Sequence, residues 1–233
     1  MTAWNRIVFT FEFVLAAAAL AGLVYRRHVK VVAFFGVYLG VTAASDALVL
    51  LWPDRFFTWG FWLLRETLQA AAKLGLAFEL TLRIFHSLPR AKFAIGVLQL
   101  VVVVGTLVAV ISNGTAGSAF EAAPTLVPWL QYGAAFSLLV VLGGALWYFV
   151  PLYPMHRSVL TVLTIYLFAS TFGLRALGQW GWGLRDLFNY ASGVAFNVVL
   201  AYWTREAWRP YTADEAHAQV FRFLRPWMAE RRP

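Results

Sequence analysis

From residue 62 to residue 80 the chain reads WLLRETLQAAAKLGLAFEL, and Arg65, Glu66, Gln69 and Lys73 interrupt an apolar run that extends from Phe56 to Phe85. Ionisable groups in hydrocarbon cost a few kcal/mol on insertion scales, so they face a bundle interior or water and are commonly paired. Arg65, Gln69 and Lys73 are spaced i, i+4, i+8, which places them on one helix face with Glu66 beside them. At the rise of an α-helix, Lys73 falls near mid-membrane. These residue types suit ion pairing and recognition of a polar solute.

Other segments carry polar groups at comparable depth: Glu12 in the first, Asp46 in the second, Arg175 in the sixth, Asn189 and Asn197 in the seventh. Together with Arg65, Glu66, Gln69 and Lys73 they form a candidate substrate-binding set lining an outward-open cavity. The same acids and bases would equally pair between helices and only fix their packing. The sequence leaves both readings open. Glu79 and Arg83, four apart, read as an ordinary helix ion pair.

The elements that must hold these groups are helices in a membrane. Of 233 residues, 61% are hydrophobic and 13% charged, against about 25% charged in a typical soluble domain. Seven apolar segments, at about 5–25, 31–52, 57–85, 93–112, 125–150, 158–180 and 184–204, approach the roughly 20 residues that a spanning helix needs. The expected fold is an all-α membrane bundle of seven transmembrane helices over residues 1–210. The first segment is read as a helix and not a cleaved signal, because its basic cluster follows the apolar run.

The net charge of +8 is not spread evenly. Arg26, Arg27, Lys30, Arg90, Lys92, Arg157, Arg205 and Arg209 fall in alternate connectors or after the last segment, so the positive-inside rule puts the N-terminus outside and the C-terminus in the cytoplasm. Trp52, Trp59, Trp129 and Trp182 would then mark the outer interface, and Tyr25, Tyr148, Tyr202 and Trp203 the inner one. This placement of charge points to the lipid bilayer and away from nucleic acid. Residues 211–233, with Thr212 and Glu215 in capping-box spacing and Val220, Phe221, Leu224 and Met228 at helical spacing, read as a cytoplasmic amphipathic tail.

Two stretches align without a gap. HVKVVAFFGVYLGVTAASDALVLLW from His28 and HRSVLTVLTIYLFASTFGLRALGQW from His156 share the histidine, Tyr38 with Tyr166, Thr42 with Ser170, and Trp52 with Trp180. Next, LRETLQAAAKLGLAFEL from Leu64 lies on LRDLFNYASGVAFNVVL from Leu184, matching Arg65 with Arg185, Glu66 with Asp186 and Gln69 with Asn189, and setting Gly193 opposite Lys73. The predicted organisation is therefore a 3+1+3 parallel repeat, residues 5–85 and 125–204 joined by a linker helix at 93–112. Such repeats place a binding site near the midplane between them. Gly36, Gly40, Gly143 and Gly144 are expected at close helix contacts.

No cysteine is present, which removes disulfides, thiol nucleophiles and thiolate metal sites. His28, His86 and His156 fall at helix ends and His217 in the tail, in no zinc or haem spacing, so no cofactor or metal is expected. The last segment has no lysine to form a retinal Schiff base. NGT at Asn113 reads as a turn. No phosphate loop, nucleophile elbow or catalytic acid pair is visible, and an enzyme is not expected.

The FFGVYL…D second segment and RE…FEL third segment resemble those of uncharacterised bacterial seven-helix integral membrane proteins. That resemblance implies a multi-pass protein of the bacterial inner (plasma) membrane. The three-one-three order is similar to the architecture of the SWEET transporters, whose typical proline-glutamine pair is missing from both repeats here. The expected function is a carrier or channel for a small polar or anionic solute. The alternatives are a sensory or receptor membrane domain with a separate output partner, and a non-catalytic subunit bound to a membrane-protein partner or a homo-oligomer.

Overall fold

Runs of apolar residues broken by Pro, Gly and charge become helices, and the computed structural model is all-α. It describes residues 1–113, 119–150, 152–180 and 185–210; for 109–111, 113, 119–128, 174–180 and 185–186 it describes the helical backbone alone. The helices are α1 (Ala3–Tyr25), α2 (Ala33–Leu51), α3 (Pro53–Phe56), α4 (Trp59–Ile84), α5 (Pro89–Asn113), α6 (Ala119–Trp147), α7 (Pro154–Trp180) and α8 (Arg185–Trp208), with a 3-10 turn at His28–Lys30.

Four stretches, Ala3–Tyr25, Ala33–Leu51, Pro89–Val108 and Trp129–Trp147, are long and apolar enough to cross a membrane. Helices α4, α7 and α8 match them in length, at 26, 27 and 24 residues, but have polar side chains along them. The expected boundaries shift in three places. Residues 53–56, left between the second and third expected segments, form the short helix α3, with Pro53 at its first position where a missing N–H costs nothing. Pro154 likewise opens α7 inside the expected connector, and α6 begins at Ala119 instead of about 125. The NGT turn runs into residues 114–118, and the tail is 211–233; both lie outside the described residues.

Local caps fix the helix starts. Thr2 and Thr58 accept hydrogen bonds from the N–H groups of Asn5 and Phe61 at 3.2 and 3.4 Å, each satisfying a free donor of a first turn. Helix α2 is capped from a distance. Glu79 of α4 accepts from the N–H groups of Ala33 and Phe34 at 2.9 and 2.8 Å while holding Arg83 at 2.8 Å. The expected Glu79–Arg83 pair is thus present, and its carboxylate also ties α4 to α2.

Helix α1 packs on α2 and α8, α2 on α4, α4 on α6, α6 on α7 and α7 on α8. These neighbours close a ring of six helices. Helix α5 lies against α6 and, less extensively, α4; its Phe93 is 75% exposed.

One end of the ring is solid. Leu23, Phe35, Leu76, Leu80, Leu160, Leu163, Leu200 and Trp203 are fully buried there, with Trp203 edge-on to Phe35 at 5.0 Å. Apolar burial gives no advantage over lipid, so in a membrane the cohesion here is close van der Waals packing. Trp203, expected at the inner interface, is instead 0% exposed and central to this packing; Tyr25, Tyr148 and Tyr202 are exposed. Among the expected glycine contacts, Gly144 faces Ile95 so closely that a Cβ would collide, whereas Gly143 has open space.

Candidate functional site

The other end of the ring is hollow. A cavity of about 330 Å³ is lined from all six ring helices and from none of α5: Glu12 from α1, Tyr38 from α2, Arg65, Glu66, Gln69 and Lys73 from α4, Gln131 from α6, Tyr166 and Ser170 from α7, and Asn189 and Gly193 from α8. Its size is at the lower end of the about 300–1,000 Å³ typical of small-molecule sites. Trp4 and Tyr190 meet edge-on at 5.3 Å where α1 and α8 begin, and both line the cavity. The buried Tyr38, Lys73 and Phe196 lie deepest in sequence terms, next to the solid half.

The helical stripe on α4 behaves as its spacing predicts: Arg65, Gln69 and Lys73 all reach the cavity wall, with Glu66 alongside. Their partners differ. Arg65 Nη2 lies 3.1 Å from Glu12 Oε2 and 2.9 Å from Asp46 Oδ1, so one guanidinium joins α1, α2 and α4. Neither oxygen of Asp46 receives an aligned hydrogen bond, so that contact is ionic. The Arg65 guanidinium also stands over Phe9 at 5.6 Å. Gln131 Nε2 donates to Glu66 Oε2 at 3.0 Å, joining α6 to α4. Gln69 Nε2 donates to Thr42 Oγ1 at 3.1 Å.

Lys73 is different. It is 3% exposed, lines the cavity, and has no carboxylate within 4.0 Å and no hydrogen-bond partner among the described residues. Its Nζ lies 5.4 Å from the centre of the Tyr38 ring, a cation–π contact worth about 2 kcal/mol when desolvated.

Two members of the expected set stand elsewhere. Asp46 is 0% exposed and does not line the cavity; it sits behind Arg65 and neutralises it. Asn197 turns its Nδ2 back to the Gly193 carbonyl of its own helix at 3.0 Å and also lies off the cavity. Arg175 is on α7, but its side chain is outside the described residues, as are those of Arg185 and Asp186. Glu12, Arg65, Glu66, Gln69, Lys73 and Asn189 are brought together.

Helical spacing does not point to Gln131 or to the aromatic wall, and both line the cavity. Gln131 carried a signal, a single amide in the apolar run WLQYGAAF. Tyr38 and Tyr166 stood out only as matching positions of the two repeats, and both line the cavity. Phe9, Trp62, Phe188 and Phe196 complete an aromatic lining, which residue type alone does not distinguish from packing. The chain matches no protein-family model, no curated protein and no solved structure.

Proposed function

We propose that the chain is a multi-pass inner-membrane carrier or channel for a small anionic solute, built as seven spans in a 3+1+3 repeat with its N-terminus outside. The observation that carries this reading is the ammonium of Lys73, buried, without an acid partner among the described residues, and at the wall of a cavity. A charge left in that state raises the energy of the empty protein, and an anion beside it lowers it. Arg65, also expected to attract the solute, is already held by Glu12 and Asp46. Its role in this reading is to join three helices.

The neighbour order supports the repeat. Exchanging α1 with α6, α2 with α7 and α4 with α8 maps the ring onto itself and leaves α5 outside. Residues paired by the sequence alignment, Tyr38 with Tyr166, Gln69 with Asn189 and Lys73 with Gly193, line the same cavity. A cavity near one end and a packed core at the other is the arrangement of a carrier open to one side, with transport requiring the two three-helix units to rock about the site.

Proteoliposome flux tests the reading. Wild-type protein is expected to pass at least one small organic or inorganic anion from a set of acetate, 3-phenylpropionate, chloride and phosphate, and Lys73→Met to lose that flux. Equal rates for wild type and Lys73→Met with every anion would overturn it.

A further inference from the structure

The cavity combines one open charge with a wall of rings, and we propose that its ligand is a monocarboxylate carried on a flat apolar body such as a phenyl ring. This deepens the anion-carrier reading and rests on it for the sign of the ligand.

The acids at the cavity limit the ligand to one negative group. Of the charged residues at the cavity, Arg65 is bound by Glu12 and Asp46, and Glu66 is held by Gln131. Lys73 alone among them has no ionic or hydrogen-bonding partner. A carboxylate on it makes one charge-assisted hydrogen bond in a site of low dielectric. A dianion or phosphate would bring its second charge into a pocket that already contains the carboxylates of Glu12 and Glu66, and repulsion would offset the gain.

The walls specify the rest of the molecule. The cavity wall carries the rings of Phe9, Tyr38, Trp62, Tyr166, Phe188 and Phe196, of which Tyr38 lies against Lys73; Tyr166 and Phe196 lie 5.4 Å apart, inclined at 33°. Aromatic faces reward flat apolar groups by stacking and edge contact, and offer a bare ion such as acetate nothing further. An α-amino acid is also disfavoured, because its ammonium would be delivered beside Lys73.

The test is calorimetric and thermal-shift titration of the full chain in phosphatidylcholine nanodiscs. 3-Phenylpropionate is the probe, with acetate, succinate, phenylalanine and 3-phenylpropan-1-ol as comparisons. 3-Phenylpropionate is expected to saturate and to bind roughly tenfold or more tightly than each comparison, the equivalent of one charge-assisted hydrogen bond. Lys73→Met is expected to abolish the preference over the alcohol. Should Lys73→Met fail to fold, Ser170→Phe, which fills the cavity without altering a charge, is expected to abolish binding instead.

Equal binding of the alcohol, tighter binding of succinate, or unchanged binding in the folded variants would overturn the proposal. Flux separates it from the reading on which it rests. Saturable Lys73-dependent binding without transport keeps the ligand class and removes the carrier. Lys73-dependent chloride or phosphate flux without 3-phenylpropionate binding keeps the carrier and removes the ligand class.

Discussion

The Lys73 ammonium lies 5.4 Å from the centre of the Tyr38 ring, and among the described residues no carboxylate comes within 4.0 Å of it. The ring offsets about 2 kcal/mol, less than the several kcal/mol that burying an ion costs. Lys73→Met keeps the length and removes the charge, so the variant is expected to be more stable than wild type by about 1 kcal/mol or more. Thermal unfolding in a single detergent checks it. A lower melting temperature for folded Lys73→Met would mean that the ammonium has a structural partner, and the binding argument would lose its basis.

Arg65 should behave in the opposite way. Truncating it leaves Glu12 and Asp46 buried without their cation, and breaking a buried pair in this manner costs about 3–5 kcal/mol. Arg65→Met is therefore expected to unfold at much lower temperature than wild type. Asp46→Asn alone is expected to destabilise the wild type but, added to Arg65→Met, should recover about 1 kcal/mol or more, the coupling expected of residues in contact. Additive losses in the double-mutant cycle would show that the 2.9 Å contact carries little energy.

The contrast between these two cations marks the limit of what the sequence discloses. A spacing of four puts Arg65, Gln69 and Lys73 on one face, and that face does reach the cavity, because helix geometry is local. Which cation is neutralised depends on α1 and α2 arriving beside α4. Depth in the membrane predicts Asp46 and Asn197 at the cavity too, yet depth does not define azimuth: Asp46 turns behind Arg65 and Asn197 turns to its own backbone. Gln131 enters only through the packing of α6 on α4. The long apolar helices were legible for the same local reason that α3 was not, since a four-residue helix that begins on a proline contains no full hydrophobic period.

Glu79 carries two jobs that mutation can separate. Its carboxylate accepts from two backbone N–H groups at the start of α2 and from Arg83. Arg83 is 39% exposed at its side chain, so its share should be that of a surface pair. Arg83→Ala is expected to cost less than about 0.5 kcal/mol, and Glu79→Ala about 1–2 kcal/mol, the range for losing a helix cap. Equal losses from the two variants in thermal unfolding would assign the stabilisation to the ion pair and not to the cap.

His28 offers a test by pH at the opposite end from the cavity. It stands in the connector between α1 and α2, with Nε2 3.5 Å from the Arg209 carbonyl and its ring 6.4 Å from that of Tyr153. Burial holds its pKa below the usual 6.5, opposed by the Arg209 carbonyl and assisted by the nearby Arg26 charge. The folded chain therefore binds a proton less readily than the unfolded chain. Stability from this group is complete above pH 6.5 and falls as pH drops from there through the folded-state value, because the unfolded state takes up more protons in that window. His28→Gln retains an N–H for the carbonyl and cannot titrate. Between pH 7 and pH 5 the wild-type melting temperature is expected to fall further than that of His28→Gln. Parallel curves, or a steeper fall in the variant, would show that His28 contributes nothing to the acid sensitivity of the fold.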